Sequence, residues 1–191
     1  KFAESIINIF PWLQQVNLKL ETINTFPHSA GIASSASAFS AFALCLCSLD
    51  NELSGIMLEE SEFRSKASYV ARLGSGSACR SIFSGFTVWG ASKALAGSSD
   101  LLAVPVPEVH PVFTTLRDSI IIVNRGEKPV SSSEGHNRMN GHPFAEARVK
   151  QAQKNTAELL EALKTGDKQT FMRITENEAF TLHALMMTSA D

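Results

Sequence analysis

The chain has 191 residues, with 17 lysines and arginines against 19 aspartates and glutamates, and a formal net charge of −2. A 44% hydrophobic and 19% charged composition supplies a buried core, argues against a disordered chain, and leaves no general electrostatic affinity for nucleic acid. The weakly polar residues 29–49 are too rich in Ala and Ser for a membrane span, and Glu4 interrupts the apolar N-terminal residues, unlike a secretory leader.

In chain order, Phe2, Ile6, Ile9 and Phe10 have helical spacing over residues 1–15, broken at Pro11, and the alternation Val16, Leu18, Leu20, Thr22 predicts a strand. Residues 24–31, with Pro27 and Gly31, form a loop that feeds a long buried helix over 34–49. A second helix covers 59–71 and is interrupted by Gly74-Ser75-Gly76-Ser77 before a helical segment over 78–83. Short strands are predicted at 86–89 and 101–106, flanking the turn 97–100, and Pro105 and Pro107 mark the end of a first domain, 1–107.

The second domain, 108–191, opens on Ile120-Ile121-Ile122-Val123, a β-branched run expected to be a strand buried on both faces and to start a second sheet. After a polar stretch, one helix spans 144–163 and stops at Gly166, and another spans 168–187 with Phe171, Ile174, Phe180 and Leu185 inward. The class is α+β in two lobes.

Cys45, Cys47 and Cys79 are odd in number, which favours a reducing, cytoplasmic setting. One residue separates Cys45 from Cys47, where redox and zinc motifs have two, so these read as core cysteines. His136 and His142 lack an evident third ligand, so no metal site is expected there.

Three segments could carry chemistry. Around Ala30-Gly31-Ile32-Ala33-Ser34-Ser35, backbone amides at a helix start and serine hydroxyls suit phosphate oxygens; the alternative is that Ser34 or Ser35 caps the helix. The segment lacks the Lys of a P-loop and the spaced glycines of a dinucleotide fold. In Gly74-Ser75-Gly76-Ser77-Ala78-Cys79-Arg80-Ser81, Arg80 could clamp a carboxylate or phosphate through two parallel hydrogen bonds, or stand in a surface ion pair. Ser131-Ser132-Ser133 could also face phosphate, or form a turn.

Together with Asn24-Thr25-Phe26-Pro27 and Phe180-Thr181-Leu182-His183-Ala184, these segments resemble, in order and spacing, the mevalonate diphosphate decarboxylases of the GHMP kinase superfamily. The Gly-Ser-Gly-Ser-Ala-Cys-Arg motif is the most specific to that branch. The resemblance implies an α+β GHMP kinase fold with the active site in a cleft between two lobes. It also implies use of ATP and magnesium to decarboxylate mevalonate 5-diphosphate, and a cytoplasmic homodimer with no membrane or nucleic-acid partner.

By position, Ala30, Gly31, Ser34 and Ser35 would bind ATP; Ser75, Gly76, Ser77 and Ser132 the substrate; and Arg80 its carboxylate. The family's Lys-Tyr-Trp-Gly-Lys-like segment and the Asp-Ala-Gly-Pro-Asn-like segment of its general base do not occur in this sequence, which reads as a central piece of such an enzyme. None of Asp50, Asp100, Asp118, Asp167 and Asp191 stands in that context. Alternatives of the same fold are a phosphomevalonate decarboxylase or a mevalonate 3-kinase; a different class is a non-catalytic binder of phosphorylated ligands.

Overall fold

The computed structural model describes residues 2–26, 32–121, 137 and 140–189. The chain divides into two compact units. Lys1–Ala91 and Gly97–Pro105 belong to the first; Ser92–Ala96, Val106–Ser119 and the two C-terminal helices belong to the second.

In the first unit, α1 (Phe2–Ile6) leads into a 3-10 turn, Pro11–Gln15, whose proline occupies a position where a helix has no use for its missing N–H. Helix α2 (Ser34–Ser54) runs beyond the predicted residue 49 because no breaker follows until Gly55, which ends it in the left-handed conformation at φ 70°. Helix α3 (Glu60–Gly74) has Glu60 and Glu62 in its first turn and Arg72 in its last, the distribution that complements the helix dipole. A 3-10 turn, Gly76–Ile82, follows directly. β1 (Thr87–Trp89) and β2 (Ala103–Pro105) pair antiparallel with Val88 opposite Val104, as the two predicted strands required.

The core of this unit is the meeting of these elements. Ile6, Phe10, Ala43, Leu46, Cys47, Ala67, Val70, Ala71, Ala78 and Ile82 are buried together. Many are small, so helix backbones approach closely, and rings fill the remaining space: Phe2 meets Phe39 edge-on at 4.9 Å. Asp50 accepts from Trp12 Nε1 at 2.8 Å and from Lys66 Nζ at 2.5 Å, while that ammonium lies 5.1 Å from the Phe10 ring centre.

The second unit is organised by α4 (Ala145–Thr165) and α5 (Lys168–Thr188), both close to their predicted spans. Gly166 turns the chain at φ 83°, and a Cβ there would lie 2.8 Å from the His110 ring. Asp167 caps α5 by accepting from the Thr170 amide at 3.1 Å. Between the helices Glu178 receives Arg148 Nη2 at 2.6 Å and Asn155 Nδ2 at 2.7 Å.

Several expectations fail for a common reason, that periodicity reports faces but not partners. Residues 16–22 form no strand, and Val16, Leu18 and Leu20 are exposed; none of the described residues supplies a neighbouring edge. Ile120 and Ile121 are likewise exposed and outside any strand, so the described part of the isoleucine run opens no second sheet; Ile122 and Val123 lie outside the described residues. On α5, Ile174 and Leu185 are buried, but Phe180 is 71% exposed. Cys47 and Cys79 are core residues as expected, whereas Cys45 faces outward on α2.

Candidate functional site

The site belongs to the first unit and begins where α2 begins. Ala33, the residue before the helix, is left-handed at φ 54° and ψ 41°, the sole non-glycine with positive φ among the described residues. An alanine held there costs roughly 1–2 kcal/mol, and the conformation turns successive amides toward one side. The N-cap position falls on Ala33, whose side chain makes no capping bond, so Ser34 and Ser35 do not cap the helix but occupy its first two positions. Their amides and the Ser34 hydroxyl have no partner among the described residues. A helix start left open in this way offers donors and a positive dipole end to an anion. Ala30 and Gly31, the predicted upstream part of this cradle, lie outside the described residues.

The second predicted loop meets the first. Ser75 links α3 to the 3-10 turn in extended conformation, and its Oγ lies 3.4 Å from Ser35 Oγ, forty residues earlier in the chain. The glycines around it have structural reasons. A Cβ on Gly74 would come within 2.0 Å of Phe39 Cδ1, and one on Gly76 within 2.6 Å of Trp89 Cη2. The motif is therefore small first because an α2 ring and a β1 ring lie against its backbone.

The 3-10 turn presents Ser77, half-buried, and Arg80, exposed, neither side chain with a hydrogen bond or ion pair among the described residues. No described residue forms the surface ion pair that is the alternative for Arg80. Behind the turn, Ser68 Oγ donates to the Cys79 carbonyl at 2.9 Å and accepts from the Ala103 amide at 3.0 Å, and Arg64 Nη1 donates to the Ile82 carbonyl at 2.6 Å. The Cys79 thiol, its pKa raised by burial against the opposing pull of Arg80, stays protonated and donates to the Gly76 carbonyl at 3.0 Å.

Ser68 and Arg64 were not singled out in the sequence. Their signal was the spacing of Arg64, Ala67, Ser68 and Ala71, which places a hydroxyl on the buried stripe of α3. The third predicted segment, including Ser132, lies outside the described residues, as does His136. His142 is buried, accepting from the Phe144 amide through Nδ1 at 3.1 Å with Nε2 3.2 Å from Thr188 Oγ1. No group of three His, Cys, Asp or Glu side chains among the described residues is placed to hold a metal. Asp50, Asp100 and Asp167 each accept hydrogen bonds from neighbours in the fold. No helix among the described residues is long and apolar enough to cross a membrane.

Comparison with known proteins identifies the family and the fold. Residues 1–102 match the diphosphomevalonate decarboxylase-like N-terminal domain. The chain is 33% identical over 179 residues to a diphosphomevalonate decarboxylase of Ganoderma lucidum, covering 93% of this chain and 42% of that protein. It is 36% identical over 135 residues to the Saccharomyces cerevisiae enzyme of that name, covering 71% and 32%. The crystal structure of a mevalonate diphosphate decarboxylase from Legionella pneumophila superposes with a TM-score of 0.68 at 29% identity, over 88% of this chain and 49% of that one. The fold is accordingly the α+β GHMP kinase fold, and the chain spans less than half the length of these relatives.

Proposed function

Because the chain belongs to the diphosphomevalonate decarboxylase-like family, we propose that the whole protein is an ATP-dependent carboxy-lyase that converts mevalonate 5-diphosphate to isopentenyl diphosphate, ADP, phosphate and carbon dioxide. The observation that carries this reading is the meeting of Ser35 and Ser75. It sets the open start of α2, suited to one set of phosphates, beside the serine-glycine turn that leads to Arg80.

In this reading Ser34 and Ser35, with Ala30 and Gly31, receive the ATP phosphates on backbone amides and hydroxyls. Ser75, Gly76 and Ser77, with Ser132, receive the substrate. The donors present fit a nucleotide's phosphates: two amides and a hydroxyl without partners among the described residues, at a positive helix end. The described residues show no acidic or histidine cluster for magnesium, which enters as the ion carried by the nucleotide.

Transfer of the γ-phosphoryl group to the tertiary hydroxyl converts that oxygen into a leaving group, and such transfer depends on positioning and charge stabilisation. The carboxylate carbon–carbon bond then breaks. Its electron pair forms the alkene as phosphate departs and carbon dioxide is released. An Arg80 guanidinium that is exposed and unpaired among the described residues is suited to hold the carboxylate in the plane that this elimination needs. A cytoplasmic homodimer is the corresponding assembly and location.

The test is stoichiometric. The complete gene product, given mevalonate 5-diphosphate, ATP and magnesium, should release ADP and carbon dioxide in equal amounts. ADP without carbon dioxide would mean a tertiary-hydroxyl kinase, and neither product would remove the assignment.

A further inference from the structure

We infer that Ser68 is a positioning residue for Arg80, a role that rests on the reading of Arg80 as the carboxylate-holding group. Ser68 lies in the middle of α3 and is fully buried. Its hydroxyl donates its one proton to the carbonyl of Cys79 and accepts the amide of Ala103. The Cys79 carbonyl belongs to the peptide unit whose nitrogen is that of Arg80, so this single hydroxyl fixes the plane from which the Arg80 side chain departs. Through the second bond the same oxygen joins the turn to β2.

A 3-10 turn is poorly suited to hold a catalytic side chain by itself, because its hydrogen bonds are less well aligned than those of an α-helix. The turn carrying Arg80 spans Gly76–Ile82 and is fastened from α3 near both sides of that residue, by Ser68 to Cys79 and by Arg64 to Ile82. Only the Ser68 contact is fully buried, shielded from competing water. An exposed arginine whose side chain has no partner among the described residues owes its direction to its backbone, and a misplacement of about 1 Å in a reacting geometry can cost on the order of a hundredfold in rate.

A double-mutant cycle on the complete gene product tests this, read as carbon dioxide release. Ser68→Ala should lower kcat by about tenfold or more while leaving the KM for ATP within about twofold. In the Arg80→Ala background the same substitution should cost less than about twofold, since the side chain it aims is gone. An equal loss in both backgrounds would show that Ser68 supports the fold without acting through Arg80, and would overturn the inference. Near-normal turnover of Arg80→Ala alone would instead remove the reading on which it rests. Should Ser68→Ala fail to fold, the near-isosteric Ser68→Cys carries the same cycle: an intermediate loss that vanishes with Arg80→Ala supports the role, and a loss that persists refutes it.

Discussion

Ser35 and Ser75 bring their hydroxyl oxygens to 3.4 Å across forty residues of sequence, joining the first turn of α2 to the start of the 3-10 turn that bears Arg80. If phosphates occupy this junction, a carboxylate placed there should repel them. Ser35→Asp puts that charge at a helix start, where the dipole favours it, so the fold should keep its stability within about 0.5 kcal/mol. The KM for ATP should rise by at least about tenfold, since close like charges in a partly screened site cost on the order of a few kcal/mol. Steady-state kinetics alongside thermal unfolding separate the two effects, and an unchanged KM would place the phosphates elsewhere.

Arg80 offers a different separation. It is exposed and unpaired among the described residues, so Arg80→Ala should move the unfolding midpoint little, while turnover falls by at least about a hundredfold through lost transition-state contacts. Arg80→Lys should recover only a small part of that activity, because an ammonium cannot present two parallel donors to a carboxylate. Full activity in the lysine variant would mean that charge alone suffices and that the bidentate geometry is irrelevant.

The glycines of the same motif should respond as packing residues. In Gly74→Ala the new methyl meets the Phe39 ring, which is packed against the core, whereas in Gly76→Ala it meets the outer edge of Trp89, a ring 39% exposed and freer to yield. Gly74→Ala should therefore destabilise by about 1–3 kcal/mol, as overpacking does, and Gly76→Ala by less. Urea denaturation of the two variants gives the order directly; a reversed order would contradict the packing account.

The contrast between Gly74 and Ser68 shows what could be read from the chain alone. The loops were legible because glycine and serine clusters interrupt helical periodicity, and α3, α4 and α5 were legible because that periodicity persists over many turns and ends at recognisable stops such as Gly166. The ring that makes Gly74 necessary belongs to α2, and the bonds of Ser68 reach the 3-10 turn and β2, so neither role has a local signature. Non-locality also explains Val16, Leu18, Leu20, Ile120 and Ile121. Their β-like pattern is real, but a strand exists only with a hydrogen-bonded neighbour, and pairing is decided far along the chain.

The three thiols should separate by environment and by pH. Cys45 is exposed and should react with a thiol reagent in the native protein, while Cys47 and Cys79 should react only as the protein opens. Burial pushes the Cys47 thiol up to about 11, with Lys66 opposing and Asp50 adding to the shift. The ordinary value is 9.0, so between these limits the unfolded chain loses a proton that the folded one keeps. Stability from the buried thiol is thus fully present below about pH 9 and falls as pH rises toward 11, by at most about 1.4 kcal/mol per pH unit for one proton. Cys79, raised by burial as well, contributes with the same sign. Cys47→Ala should lower stability at neutral pH through the cavity it leaves, yet show a shallower decline over this alkaline window than the unsubstituted protein. Parallel declines in urea titrations across that range would show that Cys47 ionises as readily in the fold as out of it.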